Sequence, residues 1–322
     1  MLDRVSSYAA DRADIEAAVR RIAPWAHRTP VIRSSYFDGR AGRSVHFKCE
    51  TFQRTGSFKF RGACNAVMSL SDVEAARGVV THSSGNHAQA LALAAQLRGI
   101  PANVVMPKDS ATTKIAAVKG YGGRVVFCEP TVADREATAQ RVVAETGGVL
   151  IPPYDHPKVI AGQGTIALEL IEQIAQFDAI IVPVGGGGLI SGITLGAKAL
   201  RPDLKVIGVE PEVVGDAAAS KRLGSRQPAT GAPTIADGLR TSLGELTWPV
   251  VRDLVDSIAT VSEAEIRAAM RLVFERMKLV IEPSAGVGVA ALLGPLHSRR
   301  DFGSCAVILC GGNVDLDALP FP

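Results

Sequence analysis

Short apolar runs alternate with amphipathic or alanine-rich stretches along most of the chain. The runs are rich in Val and Ile and lack regular polar alternation, which is typical of strands that are covered on both faces. Stretches with helical periodicity separate them, and this alternation predicts parallel strands joined by crossover helices. The strand candidates are residues 78–82, 102–107, 124–129, 148–153, 179–185, 205–211 and 306–312. The pattern therefore predicts an α/β fold with more than one sheet.

No repeat, low-complexity tract or Pro/Ser-rich linker marks a domain boundary in the sequence. The length of 322 residues is enough for two domains. We expect a small unit over residues 70–148 and a large unit formed by residues 1–69 and 149–322 on either side of it. The chain would cross between these units through ordered elements.

The composition excludes several classes of protein. Hydrophobic residues make up 47% and charged residues 21%, so the chain can build a large core and is not disordered. Lys and Arg number 35 against 32 Asp and Glu, a balance that does not favour nucleic acid or anionic membrane as a partner. The five cysteines are widely spaced and form no C-x-x-C pair, which indicates reduced thiols rather than disulfides or a zinc site.

The N-terminal residues 1–22 are charged near their start and lack the apolar core of a secretory signal. Gly, Pro or a charged residue interrupts each apolar run before it reaches membrane-spanning length. We therefore expect a cytoplasmic protein that acts on a small molecule and has neither a membrane nor a nucleic-acid partner.

A run of four glycines lies in VPVGGGGLISG, residues 182–192, between an apolar strand candidate and a helix candidate. Free N–H groups at a helix start, combined with glycines that let a ligand approach the backbone, favour an anion such as phosphate. A tight turn that needs glycine for steric reasons is the simpler alternative. A dehydrogenase is another, although Gly186, Gly188 and Gly192 are spaced one residue too long for G-x-G-x-x-G. Glu210 at the end of the next strand candidate keeps that alternative open.

Lys59 stands in SFKFRG, between Phe58 and Phe60 and close to Arg61. An amine in apolar surroundings near another cation has a lowered pKa and is a good Schiff-base former. A solvated surface lysine is the common alternative for such a residue.

The segment THSSGNHAQA, residues 81–90, follows a strand candidate and begins a helix candidate. Its hydroxyl groups, amide and free N–H groups suit a carboxylate or a ring oxygen, although a simple N-cap cluster would need only Ser83, Ser84 or Asn86. His82 and His87 do not share a helical face, so we expect packing or helix-start residues rather than metal ligands.

These segments stand in a fixed order with several others over nearly the whole chain: GSFKFRGA, THSSGNHAQA, IAGQGTIALE, VPVGGGGLISG, ERMKLVIEPSAGV and LCGGNVDL. Together they closely resemble the serine racemase / serine–threonine dehydratase family of fold-type-II pyridoxal-phosphate enzymes, which includes 3-hydroxyaspartate dehydratases. The resemblance implies a tryptophan synthase β-like fold with two open, twisted, mainly parallel sheets in a large and a small domain.

The resemblance also implies roles for individual residues. Lys59 would bind pyridoxal 5'-phosphate as a Schiff base and act as a base, with Ser84 as a second catalytic residue on the opposite face of the cofactor. The implied cofactor-binding residues are Lys59, Phe58, Asn86, Gly185, Gly186, Gly187, Gly188 and Cys310. The implied substrate-binding residues are Ser83, Ser84, Asn86, His87 and Arg135.

Cys310 departs from the serine that many relatives carry in [ST]-G-G-N. A thiol is a weak donor and acceptor, so the pyridine nitrogen would stay unprotonated, and elimination would be favoured over longer-lived carbanion chemistry. The alternative is a small buried residue that ends a strand.

A divalent cation site is implied at Glu210, Asp216 and the backbone carbonyl of Val214. Oxygen ligands suit Mg²⁺, with Ca²⁺ or Mn²⁺ as alternatives, rather than zinc. Without the resemblance, these would be ordinary loop carboxylates. The resemblance and the frequency of symmetric dimers also lead us to expect a homodimer.

We therefore expect β-elimination of a β-hydroxy-α-amino acid, such as L-serine or L-threonine, to a 2-oxo acid and ammonia. One alternative is 3-hydroxyaspartate dehydratase, whose substrate would need a cation from Arg240 or Arg135. Another is a serine or aspartate racemase that uses Lys59 and Ser84 on opposite faces. From other classes, a nicotinamide dehydrogenase and a non-catalytic ligand-binding regulator remain.

Overall fold

The computed structural model describes residues 8–321, which form two sheets with helices packed against them. The larger sheet has six strands in the order β1-β2-β10-β7-β8-β9, and β1 alone runs antiparallel to its neighbour. The smaller sheet has four parallel strands in the order β5-β4-β3-β6. The α/β fold with two mainly parallel sheets is therefore confirmed.

The strands are β1 (Val31–Arg33), β2 (Ser44–Cys49), β3 (Val79–His82), β4 (Ala102–Pro107), β5 (Arg124–Cys128), β6 (Val149–Leu150), β7 (Ala179–Pro183), β8 (Lys205–Pro211), β9 (Ser257–Val261) and β10 (Ser304–Leu309). All of β4 and all of β7 are buried, as their unbroken apolar sequences predict. Strand β6 begins directly after residue 148, the expected end of the small unit, and pairs with β3. The division into domains remains a prediction.

The helices are α1 (Arg12–Ile22), α2 (Ser35–Ala41), α3 (Lys59–Met68), α4 (Asp72–Ala76), α5 (Asn86–Arg98), α6 (Thr112–Gly120), α7 (Val132–Thr146), α8 (Pro157–Gln173), α9 (Gly188–Leu200), α10 (Asp216–Leu223), α11 (Thr247–Leu254), α12 (Glu263–Met277) and α13 (Pro283–Leu293). Short 3-10 turns lie at residues 50–52, 54–56, 212–214, 237–239 and 316–318.

Helices α3 and α9 pack on α8 at unusually short range because glycines line the contacts. A Cβ on Gly162 of α8 would lie 2.6 Å from the Cα of Gly62 in α3. A Cβ on Gly192 of α9 would lie 2.3 Å from the carbonyl oxygen of Ile160 in α8. The helix that begins at Lys59 and the helix that begins at the glycine run are therefore held against the same support.

A buried ionic cluster fixes the first turn of α3 to the larger sheet. The Arg61 guanidinium bonds to Glu50 at 2.8 Å and to Glu169 of α8 at 2.6 Å. Glu169 also accepts from the Lys48 ammonium at 2.6 Å. Each buried charge has an opposite charge beside it, which is the condition under which burial of such groups is tolerated.

The expectation of no secretory signal rests partly on residues 1–7, which lie outside the described residues. Within residues 8–321, no helix is long and apolar enough to cross a membrane. All five cysteines are free and buried in the structure.

Candidate active site

A cavity of about 380 Å³ lies between the two sheets, where their parallel strands end. Strand β7 leads into the glycine run, β3 leads into the segment 83–87, and β10 ends just before Cys310. Ligands of open α/β sheets bind at this carboxyl edge. The predicted cofactor and substrate residues that line the cavity are Phe58, Lys59, Ser83, Ser84, Asn86, His87, Arg135, Gly185, Gly186, Gly187, Gly188 and Cys310. The structure brings all of these residues to one cavity, while their individual roles remain predictions.

Lys59 is the first residue of α3, and its ammonium group lies deep in the cavity. The amine donates to the carbonyl oxygen of Pro153 at 2.7 Å and lies 5.2 Å from the centre of the Phe58 ring. Burial lowers the pKa of Lys59 to about 8, although Cys310 and Glu282 act in the opposite direction. An amine with this pKa is partly neutral near physiological pH, as a Schiff-base former and proton acceptor requires.

Arg61 does not contribute to the lowered pKa of Lys59 in the way that the sequence predicts. The sequence suggested that the neighbouring cation Arg61 contributes to it. Arg61 instead turns away into its cluster with Glu50 and Glu169, and the pKa of Lys59 falls mainly because the amine is desolvated. Arg61 therefore acts on the fold of this region rather than on the charge of Lys59.

The Gly185–Gly188 loop connects β7 to α9 and has the form of an anion cradle. Gly187 caps α9 in a left-handed conformation with φ 86°, and no side chain caps the helix, so its first N–H groups face the cavity without a side-chain acceptor. A Cβ on Gly186 would lie 2.4 Å from ring atoms of Tyr154, and a Cβ on Gly187 would lie 2.7 Å from the Thr247 hydroxyl. Both positions therefore require glycine, and the cradle fits the phosphate of the expected cofactor.

Asn86 is held on two sides at the start of α5. Its amide nitrogen lies 3.0 and 2.9 Å from the two carboxylate oxygens of Glu282, and its amide oxygen accepts from Asn313 at 2.9 Å. Asn313 in turn donates to the carbonyl oxygen of Thr55. These bonds fix which end of the amide carries its N–H groups. Asn86 also borders the cavity, so its position fits the expected contact with a ring oxygen.

His87 is 1% exposed, and its Nε2 lies 3.0 Å from the carbonyl oxygen of Ile151. A carbonyl can only accept, so Nε2 carries the proton. Burial, with Lys59 nearby, lowers the pKa of His87 to about 3 and keeps the ring neutral. The residue therefore packs at the helix start, as the sequence predicts, and its ring also borders the cavity.

Glu282 is a cavity residue that the sequence reasoning missed. It precedes α13, is 4% exposed, and lies 4.0 Å from the Cys310 sulfur as well as against Asn86. Burial raises its pKa to about 7, against the hydrogen bond from Asn86 that favours the ionised form. Burial also raises the pKa of the Cys310 thiol, so this group stays protonated. The sequence does contain a sign of this residue's importance. Glu282 is a lone carboxylate inside the apolar stretch LVIEPSAGV, where burial of an unpaired charge would be costly.

Two cationic candidates for a second substrate carboxylate have different surroundings. Arg135 of α7 borders the cavity, and its Nε is buried without a hydrogen-bond partner. Arg240 is exposed, donates to the carbonyl oxygen of Thr234 at 2.7 Å, and is not among the cavity residues. Lys114 of α6 also borders the cavity and forms an ion pair with Asp237 at 2.8 Å. That pair joins the small-sheet side of the cavity to the large-sheet side.

The expected cation ligands lie outside this cavity, where β8 ends. Glu210 and Asp216 are 2% and 4% exposed, and Val214 lies in the 3-10 turn between them. Burial raises the pKa of Glu210 to about 8 and that of Asp216 to about 6. Glu210 accepts from the backbone N–H groups of Ala217 and Ala218, whereas Asp216 Oδ2 is buried without a partner. Two buried carboxylates beside a backbone turn fit a hard cation whose other ligands are water.

Within residues 8–321, no group of three or more His, Cys, Asp or Glu side chains could hold a metal ion. The Glu210 and Asp216 set has only two such side chains, so it would need the carbonyl oxygen of Val214 and water to complete a coordination shell. The cation therefore remains a prediction.

Comparison with known proteins identifies the family. The profile described as "Pyridoxal-phosphate dependent enzyme" matches residues 22–311. A serine racemase from Arabidopsis thaliana is 52% identical over 97% of this chain and 96% of its own length. The solved structure of maize serine racemase superposes with a TM-score of 0.95 at 47% identity, covering 96% of this chain and 95% of that one. The solved structure of a T.th. threonine deaminase superposes with a TM-score of 0.90 at 44% identity, covering 95% and 99%.

These matches extend over the elements that form the cavity and support neither a nicotinamide dehydrogenase nor a non-catalytic regulator. The expected cofactor, pyridoxal phosphate, is the one that the family uses. The chain belongs to the pyridoxal-phosphate dependent enzymes, within the serine racemase / serine–threonine dehydratase family, and has their type-II fold.

Proposed function

We propose that the protein catalyses the β-elimination of a β-hydroxy-α-amino acid, most simply L-serine or L-threonine, to a 2-oxo acid and ammonia. The observation that carries this proposal is the buried Lys59 amine, whose pKa is about 8, in one cavity with the glycine cradle and the hydroxyl-rich segment 83–87. Relatives named serine racemase and threonine deaminase support the substrate class.

Pyridoxal phosphate, when bound, supplies an electron sink for the charge that develops at the substrate Cα. The Gly185–Gly188 cradle and the start of α9 would hold its phosphate. Asn86, oriented by Glu282 and Asn313, would donate to the ring oxygen. The neutral Cys310 thiol would face the ring nitrogen and leave it unprotonated, while Phe58 would pack against the ring.

Lys59 would move the proton that the reaction requires. The neutral amine would accept the Cα proton, and the resulting ammonium would donate a proton to the departing β-hydroxyl, which leaves as water. The hydroxyls of Ser83 and Ser84 and the N–H groups at the start of α5 would bind the substrate carboxylate. Arg135 would approach the same substrate from α7.

Racemisation is the second candidate function, and it uses the same residues. Ser84 borders the cavity that holds Lys59, and a proton returned from Ser84 to the other face would give the mirror-image amino acid. Curated relatives of this length are named serine racemase. A 3-hydroxyaspartate substrate is less well supported, because Arg240 is engaged by Thr234 and is not among the described cavity residues, which leaves Arg135 and Lys114 beside Lys59 as the Arg and Lys side chains of the lining.

The deciding experiment incubates the holoenzyme with L-serine, D-serine, L-threonine and the 3-hydroxyaspartate isomers in the presence of Mg²⁺. Ammonia release and the chirality of the remaining amino acid are measured together. Ammonia from L-serine or L-threonine supports the lyase, and inversion without ammonia indicates a racemase. A Lys59→Ala variant should lose both activities, and a Ser84→Ala variant should lose inversion while keeping elimination. If no substrate gives either ammonia or the inverted amino acid, both the lyase and the racemase assignments are wrong.

We also propose that Glu210, Asp216 and the Val214 carbonyl bind Mg²⁺, or Ca²⁺ or Mn²⁺. The raised pKa values of the two carboxyl groups and the unpartnered Asp216 oxygen support this site. A bound cation would stabilise the two ionised carboxylates and give that buried oxygen a partner. Mg²⁺ should raise the melting temperature of the wild-type protein and not that of Asp216→Asn. An equal response of both proteins would contradict the site.

The remaining expectations concern assembly, domains and compartment. We propose a homodimer, which sedimentation velocity tests directly, because symmetric dimers are the commonest assembly among soluble homo-oligomers. We also propose a small domain over residues 70–148 within a large domain of residues 1–69 and 149–322, because three of the four small-sheet strands lie within 70–148 and the fourth, β6, begins directly after it. Five free, buried cysteines support a reducing, cytoplasmic compartment, which fractionation of the source cells would test.

A further inference from the structure

The glycine cradle has supporting contacts from residues outside the glycine run, of which Tyr154 and Asp155 also border the cavity. Asp155, in the loop after β6, accepts from three consecutive backbone N–H groups that lead into α11. Its carboxylate oxygens lie 2.9 Å from the nitrogen of Glu245, 2.9 Å from that of Leu246 and 3.2 Å from that of Thr247. One carboxylate therefore caps the start of a helix that lies about ninety residues further along the chain.

Thr247 connects this capped helix start to the cradle. Its hydroxyl donates to the carbonyl oxygen of Gly186 at 2.9 Å and accepts from the N–H of Gly244 at 2.8 Å. Its carbonyl oxygen accepts from the Ser191 hydroxyl on α9 at 3.3 Å. Thr247 is fully buried, so these bonds are shielded from competing water. The peptide that follows Gly186 carries the N–H of Gly187, and its orientation is therefore set by Thr247.

Tyr154 holds the other side of the same loop. Its ring lies where a Cβ on Gly186 would be, and its Cβ lies 2.8 Å from where a Cβ on Gly188 would be. Pro153, one residue earlier, provides the carbonyl oxygen that accepts from Lys59. The segment from Pro153 to Asp155 thus contacts the lysine, the cradle and the start of α11 in consecutive residues.

We propose that Asp155 and Thr247 are positioning residues that hold the Gly185–Gly188 cradle in the shape that binds the cofactor phosphate. Thr247 acts through Gly186, and Asp155, which also borders the cavity, acts through the N–H groups at the start of α11. The proposal rests on the proposed function to the extent that the phosphate lies in this cradle. The affinity for the phosphate would then depend on a buried threonine hydroxyl and a carboxylate, both of which lie outside the glycine run.

The test compares two probes that differ only in the phosphate. The full-length chain, freed of cofactor, is titrated with pyridoxal 5'-phosphate and with pyridoxal, and both dissociation constants are measured by fluorescence. For Asp155→Asn and Thr247→Val, we expect the constant for pyridoxal phosphate to rise about tenfold, the cost of a lost buried hydrogen bond to a loop that binds charge. The constant for pyridoxal should change by less than about twofold, because that probe makes no use of the cradle.

Matched control variants distinguish a positioning role from a general loss of folding or stability. Thr247→Ser keeps the hydroxyl and should retain wild-type discrimination between the probes. Asp178→Asn removes a carboxylate that also accepts from two backbone N–H groups, those of Gly303 and Ser304, far from the cavity, and should change neither constant. Inorganic phosphate alone provides a readout without cofactor, since it should raise the melting temperature of the wild type and of Thr247→Ser more than that of Thr247→Val.

Three outcomes would overturn the proposal. If Asp155→Asn and Thr247→Val weaken both probes equally, the residues support the cavity in general and not the phosphate cradle. If both variants discriminate as well as the wild type, the support has no effect on the cradle. If the wild type itself binds pyridoxal as tightly as pyridoxal phosphate, the cradle does not hold the phosphate. That last result would count against the proposed cofactor orientation, whereas the first two leave it intact.

Discussion

The Asn86 amide nitrogen lies within hydrogen-bond distance of both carboxylate oxygens of Glu282, at 3.0 and 2.9 Å, across the junction of the two sheets. Asn86 begins a helix that packs on the small sheet, and Glu282 precedes a helix that packs on the large one. A single side-chain contact therefore orients an amide expected to touch the cofactor and, against the effect of burial, favours the ionised form of the Glu282 carboxyl beside Lys59, whose pKa burial raises to about 7.

Glu282→Gln tests that relationship. The glutamine keeps the volume of the side chain but loses the charge and offers Asn86 only one acceptor oxygen. We expect the dissociation constant for pyridoxal phosphate to rise about threefold to tenfold, in line with one weakened buried hydrogen bond. The pKa of Lys59 should also fall further, because the negative charge of Glu282 raises it in the wild type.

Fluorescence titration measures the affinity, and labelling of Lys59 as a function of pH measures its pKa. Glu145→Gln is a suitable control, since Glu145 lies on the surface of α7 in an i,i+4 pair with Arg141. An unchanged pKa of Lys59 in Glu282→Gln would show that the two groups do not interact.

The pKa of Lys59 leads to a prediction about chemical reactivity. With a pKa of about 8, roughly a quarter of the amine is neutral at pH 7.5, against about 0.1% for an ordinary lysine. Labelling of the cofactor-free chain with trinitrobenzenesulfonate should therefore be half-maximal near pH 8 at Lys59, as read from the labelled peptide by mass spectrometry. A midpoint near that of ordinary lysines would rule out the desolvated amine. Lys59→Arg, which lacks the reactive amine, identifies the labelled peptide.

The sequence predicted β4 and β7 well because their covering on both faces leaves a continuous apolar run, whereas the candidate at residues 124–129 is the edge strand β5 with one buried residue. The exceptions have physical reasons. Strand β2 contains Lys48, which is fully buried only because Glu169, distant in sequence, pairs with it. Strand β1 is a three-residue edge strand, and β9 is an edge strand with only one buried residue. The predicted strand 148–153 shortens to β6 because Pro152 and Pro153 lack the N–H groups that a ladder needs.

For the site, the sequence predicted the residues that belong to an unusual local sequence motif. Lys59, the glycine run and the segment 83–87 stand out because their residue types are unusual in combination, and all line the cavity. Residues that act through long-range partners were not found. Glu282 and Asp155 owe their importance to Asn86 and to the start of α11, and no local pattern shows those contacts.

Arg61→Met should test how far the buried ionic cluster supports the fold around Lys59. Removal of the guanidinium leaves Glu50 buried without its cationic partner and Glu169 with Lys48 alone. Breaking a buried pair from one side costs about 3–5 kcal/mol. Urea unfolding should show a loss of that order, while Arg141→Ala, in an exposed pair on α7, should cost less than about 0.5 kcal/mol. Similar losses in both variants would mean that the cluster adds nothing beyond an ordinary surface pair.

Lys114→Ala tests whether the ion pair with Asp237 closes the cavity. The pair joins α6, beside the small sheet, to the 3-10 turn at residues 237–239, and both side chains border the cavity. Its side chains are 33% and 48% exposed, so solvent and salt screen it and it should add little to the stability of the fold. Its effect should instead appear in catalysis, because an open cavity admits water and holds the substrate less well.

We expect Lys114→Ala to lower kcat/KM about threefold to tenfold, mostly through a higher KM, with little change in melting temperature. Salt at about 0.5 M should reduce the wild-type kcat/KM in the same direction and leave the variant nearly unaffected, since screening acts on the pair that the variant lacks. Lys108→Ala breaks a pair with Glu129 that lies within the small-sheet side, so it should match the wild type in both measurements. A Lys114→Ala enzyme with the wild-type KM and the wild-type salt response would show that the cavity does not depend on this contact.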